Sequence, residues 1–215
     1  MTELLKPYVP IVDFLADYLG EHTEVVLHDF SDLEHSIVKI RNGHISGQRE
    51  NDPCTDFVLR KLKNPPIEGD YDASYIGRDC HGSPLKSSTF YIRDNERKII
   101  GTICINTEID VYRRMREYLD NFFGVASEMT PTPPIPPAQE NFAASIGDMV
   151  NTILARTIDS VGPVERLTSD EKSQIIGRLN DEGLFLLKGS VAKTAAALGI
   201  SEPTVYRYLS QYKKD

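Results

Sequence analysis

The sequence has little of what secreted, membrane-spanning and catalytic proteins need. Its three cysteines, Cys54, Cys80 and Cys104, are too few and odd in number, so a disulfide framework is excluded. No apolar run approaches the roughly 18 residues of a membrane helix. The opening Met1-Thr-Glu-Leu-Leu-Lys-Pro7 lacks the basic-then-apolar order of a signal peptide. A reducing, cytoplasmic setting is the expectation. No P-loop, Gly-x-Ser-x-Gly or dinucleotide fingerprint occurs. The five histidines, His22, His28, His35, His44 and His81, show no His-x-x-x-His spacing. The reading is therefore of a protein that is not an enzyme, with no cofactor and no metal centre. Basic charge is also scarce, at 24 Lys and Arg against 32 Asp and Glu.

What is present is clearest near the C-terminus, in Gly189-Ser-Val-Ala-Lys-Thr-Ala-Ala-Ala-Leu-Gly-Ile-Ser-Glu-Pro-Thr-Val-Tyr-Arg-Tyr-Leu-Ser-Gln-Tyr212. Ser190 is placed to N-cap a helix, and Val191, Ala195 and Leu198 recur on one face of it. Gly199 follows, where a left-handed C-cap costs glycine little. Ile200 plugs the turn. Ser201 offers an oxygen to the next helix, and Pro203 falls in its first turn, where a missing N–H does no harm. Val205, Leu209 and Tyr212 are expected inside, leaving Thr204, Tyr206, Arg207 and Gln211 outside. This spacing is the helix-turn-helix pattern, whose second helix enters the major groove of double-stranded DNA. The Thr-Val-Tyr-Arg-Tyr-Leu run resembles recognition helices of bacterial regulators and DNA invertases. That resemblance implies a base contact for Arg207 and backbone contacts for Tyr206 and Tyr208. Ser201, Thr204, Lys193 and Thr194 complete the candidate DNA-binding set.

Composition divides the rest. Thr130-Pro-Thr-Pro-Pro-Ile-Pro-Pro137 can be neither helix nor central strand and reads as an extended spacer. Residues 1–130 form one unit, 131–163 a Pro-rich linker with a connecting helix, and 164–215 a helical DNA-binding domain. The connecting helix carries Phe142, Ile146, Met149, Ile153 and Leu154 at helical spacing. Thr168-Ser-Asp-Glu171 is a capping box opening another helix, which Asp181-Glu-Gly183 closes. In the first unit a helix is expected at about 8–19. Strands follow at 24–28 and 36–40, with Asn42-Gly43 as a hairpin-type turn signal. A short helix at 56–62, strands at 75–77, 85–92 and 98–106, and a long helix over 111–129 complete it. The fold class is α+β, with an antiparallel sheet in front of an all-α domain.

Several segments together resemble one family. They are Glu24-Val-Val-Leu-His-Asp29, His35-Ser-Ile-Val38, Asn42-Gly-His-Ile-Ser-Gly47, Ser87-Ser-Thr-Phe-Tyr-Ile-Arg-Asp94 and Ile100-Gly-Thr-Ile-Cys-Ile-Asn106. The chain is similar over nearly its whole length to the YheO-like PAS-domain transcription regulators, of the D-arginine utilisation repressor type. The hairpin Asn95-Glu-Arg-Lys98 departs from that pattern, which often has glycine there. The resemblance implies a cytoplasmic regulator, often a repressor, with a PAS-like domain that answers to a small-molecule effector. An amino acid or its derivative is one candidate. Polar groups able to hold such a ligand are His28, Ser36, Ser88, Thr89 and Asn106. Strand alternation puts Ser88, Phe90 and Ile92 on one sheet face and Ser87, Thr89 and Tyr91 on the other, either of which could be the inner one.

Charge bears on assembly. Residues 1–130 carry 15 Lys and Arg against 22 Asp and Glu, whereas residues 165–215 carry 8 against 7. So faint a basic footprint makes one copy a weak phosphate binder. A homodimer, or a higher homo-oligomer, offsets this by raising the effective concentration of the second site. The long helix at 111–129 and the connecting helix offer apolar faces for pairing. Two alternatives stay open: a redox- or metal-responsive regulator switched at Cys80 and His81, with Cys54 or Cys104, and a small enzyme with an accessory helical module.

Overall fold

The computed structural model describes residues 1–64, 69–124, 140–142 and 145–212. The Pro-rich spacer lies outside these residues, as do residues 125–129 of the expected long helix. By its contacts the chain divides into two compact units. Residues 1–52 and 69–142 form the first, and residues 53–68 and 143–215 form the second.

The first unit is a sheet with a helix on one face. Helix α1 (Val9–Leu19) has Pro10 in its first turn and stops at Gly20, whose φ of 84° suits glycine. Strands β1 (Thr23–Asp29), β2 (Ile37–Arg41), β3 (Tyr71–Arg78), β4 (Pro84–Arg93) and β5 (Ile99–Glu108) follow. A two-residue strand, β6 (Glu140–Asn141), completes the sheet in the order β2-β1-β5-β4-β3-β6. The first five strands pair antiparallel, and β6 joins β3 in parallel. Helix α3 (Ile109–Phe122) continues directly from β5, and none of its residues is buried. One sheet face is apolar. Val25, Leu27, Ile92 and Ile103 on it pack with Leu5, Val12 and Ala16 beneath α1. At about 25 cal/mol per Å² of apolar surface, this burial is the main stabilising term of the unit.

Three expectations are corrected here. Asn42-Gly43 does not turn a hairpin, because β2 already pairs with β1, which precedes it. Asn42 takes a positive φ of 58°, and its side-chain amide donates to the carbonyls of Gly20 and Thr23, tying two turns together. Phe142 is not helical. It packs with Ile45 and Leu85 against the sheet. The connecting helix, α4 (Ile146–Asp159), starts four residues later, where Ser145 Oγ accepts the Asp148 N–H. Its apolar face of Met149, Val150, Ile153 and Leu154 is buried within the second unit and is not free for pairing.

The second unit is helical. It contains α4, α5 (Ser169–Asp181), α6 (Ser190–Leu198), α7 (Glu202–Leu209) and α2 (Asp56–Lys63). Thr168 and Glu171 form the reciprocal capping box that the sequence predicts at the start of α5. Helix α2 comes from the middle of the first half of the chain, yet its contacts are with the C-terminal helices. Asn64 donates to the Asp181 carbonyl at 2.8 Å. Arg60 and Arg156 share the Glu182 carboxylate, at 3.1 and 2.9 Å, and Arg156 also reaches Asp56. Gly183 ends α5 with a φ of 76°, and a methyl group there would lie 2.5 Å from the Leu59 carbonyl oxygen. Glycine is thus required twice at this position, by the backbone and by α2.

Two alanine substitutions measure that contact. Gly189 also has a positive φ, but nothing lies within 4 Å of a methyl group placed there. Gly189→Ala is expected to cost about 1–2 kcal/mol, the price of a left-handed non-glycine residue. Gly183→Ala adds an overpacking penalty of about 1–3 kcal/mol. Urea unfolding of both variants tests this, and equal losses would show that α2 does not press on Gly183.

Candidate functional site

The helix-turn-helix is built as its spacing predicts at the turn and differently at two caps. Gly199 is left-handed, with φ 61° and ψ 40°, and its N–H with that of Ile200 satisfies carbonyls at the end of α6. Pro203 lies in the first turn of α7. Ser190, however, is the first helical residue of α6 and not its cap; Gly189 takes the cap position. The Ser190 hydroxyl donates back to Leu187 O at 2.8 Å. Ser201 caps α7 by position only, its hydroxyl meeting that of Thr204 at 2.9 Å and no backbone N–H.

Burial sorts the candidate DNA-binding residues. Lys193, Ser201, Tyr206 and Arg207 are exposed, and Thr204 is half-buried. Tyr206 and Arg207 sit side by side on the outer face of α7, and the guanidinium carbon of Arg207 lies 5.2 Å from the Tyr208 ring centre. Two others are turned away. Thr194 is fully buried and donates to Ser190 O at 2.8 Å, one turn back. Tyr208 is buried with Val205 on the inner face of α7. Neither offers a free surface to DNA. Leu209 is half-buried, and Tyr212 is over a third exposed while its ring covers Gly177.

In the first unit the two sheet faces differ in chemistry. Ser88 and Phe90 share the apolar face with Ile92 and Ile103. There a cleft of about 420 Å³ opens between α1 and the sheet, lined by Tyr8, Ile11, Leu15, Ser88, Phe90 and Ile105 among others. The opposite face is buried and mixed, its polar groups set among Val26, Ile37 and Leu85. It carries Glu24 and His28 from β1, Tyr75 from β3, and Ser87, Thr89 and Tyr91 from β4. Thr102, Cys104 and Asn106 come from β5. Four of the five candidate ligand residues therefore come together with this face: His28, Ser36, Thr89 and Asn106. Ser88 points to the other side and accepts the Ser74 N–H.

The polar groups of this face bond in short chains. His28 Nδ1 meets Ser36 Oγ at 2.9 Å. Burial holds the His28 imidazole down at about 4, so it is neutral at ordinary pH. Thr89 Oγ1 lies 2.8 Å from the Tyr75 hydroxyl, which donates to Glu140 Oε2 at 2.9 Å. Tyr91 donates to Asp72. Burial and that carboxylate push the Tyr91 phenol well up. Asn106 Nδ2 donates to Glu24 Oε1 at 2.8 Å, and Ser46 Oγ donates to Glu24 Oε2 at 2.6 Å. Burial raises the Glu24 carboxyl, and hydrogen bonds from Ser46 and Asn106 pull it back. Sequence reasoning missed Glu24, Ser46, Gln48, Tyr75 and Glu140. The alternation Ser87-x-Thr89-x-Tyr91 was the signal available, and it lacked only the choice of face.

The cysteines divide as well. Burial pushes the thiols of Cys54 and Cys104 up to about 12, so both stay protonated. Cys80 is exposed. Among the described residues no three His, Cys, Asp or Glu side chains converge as a metal site. No described helix is long and apolar enough to cross a membrane.

Comparison with known proteins follows the same division. A family described as the YheO-like PAS domain matches residues 1–124, and one described as an HTH domain matches residues 149–210. "Uncharacterized protein YheO" of Escherichia coli K12 is 34% identical over 213 residues, covering 98% of this chain and 85% of that protein. An uncharacterized protein of Haemophilus influenzae is 32% identical, covering 99% of this chain and 92% of that protein. "Transcriptional regulator DauR" of Pseudomonas aeruginosa is 27% identical, covering 98% of this chain and 95% of its own length.

The buried imidazole gives a pH signature. In the unfolded chain His28 takes up a proton near 6.5, and in the fold only near 4. Between these values the unfolded chain binds more protons, so stability falls as pH falls, by on the order of 3 kcal/mol in total. Glu24, raised by burial, acts in the opposite sense. The effect is therefore read as a difference between the native chain and His28→Gln, by denaturant unfolding from neutral pH to about 4. The native chain is expected to lose stability faster on acidification. Parallel profiles would show that His28 titrates normally in the fold.

Proposed function

The chain belongs to the YheO-like PAS-domain family, carrying a C-terminal HTH domain, and from that premise we propose a ligand-responsive transcription regulator that binds operator DNA through α7. The observation that carries this reading is the pair Tyr206 and Arg207. They stand exposed on the second helix of a helix-turn-helix whose turn and inner face are intact. Similarity to a transcriptional regulator along nearly the whole of both chains supports it.

In this reading α7 enters the major groove. The Arg207 guanidinium makes two hydrogen bonds to a guanine edge, the usual specific contact of arginine. Tyr206, Lys193, Ser201 and Thr204 reach phosphates, which fix register without reading sequence. The sheet domain senses a small metabolite, and the effector acts by binding one of two states of the protein more tightly. Repression is the sign of control that the resemblance implies. The chain works in the cytoplasm.

A second copy is part of the reading. Tyr112, Met115, Leu119 and Phe122 follow one another at 3-4-3 spacing along α3, and each is at least 45% exposed. That is the seam of a paired helix. A lone helix with its apolar stripe in water gains little stability. Pairing through α3 covers the stripe and brings two weakly basic DNA-binding units together. Two recognition helices then sit about 34 Å apart, on half-sites about 10 base pairs apart or a multiple of that.

Selection of bound fragments from genomic DNA, followed by titration, tests the regulator reading. Arg207→Ala is expected to cost about 1–3 kcal/mol on the selected fragment and much less on random DNA. Equal losses would make Arg207 a phosphate contact, and no enriched fragment would overturn the reading. Sedimentation tests the pairing. The native chain should run as a dimer at micromolar concentration and Leu119→Glu as a monomer. A monomeric native chain with full DNA affinity would refute it.

A further inference from the structure

The polar face of the sheet holds more hydrogen-bonding capacity than it uses. Asn106 is fully buried, and its Nδ2 is committed to Glu24 Oε1 at 2.8 Å. With Nδ2 donating to Glu24, the amide oxygen is turned away from it. That oxygen, Oδ1, is buried and has no partner among the described residues. Ser87 lies directly opposite Asn106 in the β4–β5 register, fully buried, and its hydroxyl is unpaired as well. Gln48 is 4% exposed, and neither end of its side-chain amide has a partner among the described residues.

These residues belong to one connected group, which Gln48 joins through its backbone. Ser87 faces Asn106, Asn106 holds Glu24, and Glu24 holds Ser46. Ser46 Oγ in turn accepts the Gln48 backbone N–H at 3.1 Å. Folded proteins pair roughly 90% or more of their buried polar groups, so four unpaired atoms in one such group stand out. Leaving each of them unpaired costs about as much as removing one partner of a buried hydrogen bond. Such a cost persists where a ligand offsets it.

We propose that Gln48, Ser87 and Asn106 form a binding site for a small, uncharged or cationic compound that carries N–H donors, such as an amide, a ureido compound or an amine. The proposal names the ligand class for the sensing domain and rests on that reading. Asn106 Oδ1 accepts an N–H from the ligand. Ser87 accepts or donates. The Gln48 amide does both, and can rotate to suit. The Glu24 carboxylate holds the Asn106 amide in the accepting orientation, so Glu24 is a positioning residue. Its own partners are the neutral groups of Ser46 and Asn106. The buried polar side chains described on this face include no Lys or Arg. An anion would therefore find no buried cation to offset the loss of its water, and is rejected.

The test uses the full-length chain and no DNA. Thermal melting is followed with acetamide, N-methylurea, glycinamide and putrescine, and with acetate and succinate as matched acids, all at millimolar concentration. At least one nitrogen-bearing probe should raise Tm, and neither acid should. Ser87→Ala and Gln48→Leu each remove unpaired buried polar atoms. Without a probe both variants should melt at or above the native temperature. Calorimetric titration should show the effective probe binding each of them about tenfold more weakly. Three results would overturn the proposal: no shift with any nitrogen-bearing probe, acids binding as well as amides, or variants that melt lower without a probe. In the last case these atoms would be structural. A chain that binds a probe but no operator refutes the regulator reading and leaves this site standing.

Discussion

The carboxylate of Glu24 lies on a central strand of the sheet, with no solvent exposure, and must be held by donors if the fold is to tolerate it. An ionised group in such a place costs several kcal/mol unless hydrogen bonds replace its water. Asn106 from β5 supplies one donor, and the hydroxyl and N–H of Ser46 supply two more. These bonds do more than lower a cost. They set the orientation of the Asn106 amide, and they tie the segment after β2 down onto the sheet. The apolar face makes the opposite choice, with aliphatic side chains closed over by α1. One face is aliphatic beneath α1, and the other sets its hydrogen-bonding groups among smaller apolar clusters.

The DNA-binding unit rests on a different constraint, which is shape. Gly199 takes the left-handed turn, Pro203 fits a first helical turn, and Val205 is fully buried beneath them. The outward position of Tyr206 and Arg207 follows from that geometry, since neighbours of a buried residue on a helix lie on its outer side.

Much of this was legible in the sequence because it is local. The capping box at Thr168 and Glu171, the turn at Gly199 and the five longer strands depend on spacings of a few residues. Cap assignment was less secure. Ser190 and Thr194 point their hydroxyls back along the chain, a choice that the residue types allow but do not announce. The inward turn of Tyr208 is hidden because i, i+3 and i, i+4 partners of Val205 are equally helical, and tyrosine suits either side. What the sequence hid was non-local. A glutamate in a strand reads as solvent-facing, and only Asn106, 82 positions away, makes Glu24 tolerable inside. Gln48 gives no periodic signal, β6 is two residues long, and the partnership of α2 with residues near 180 has no local signature at all.

That last partnership bears on synthesis. Helix α2 leaves the ribosome about 90 residues before α4 begins, and its partners around Gly183 come later still. At roughly 5–20 residues per second it waits several seconds for them. Strands β1 and β2 are already made by then, and β3 to β6 are made in the meantime. The DNA-reading half therefore cannot mature as an independent tail, because part of it is made within the first unit. A newly made chain completes its sheet before it can complete the surface that meets DNA. Exchange of this DNA-reading half for another by a single recombination event near the proline segment would leave α2 behind with nothing to hold it.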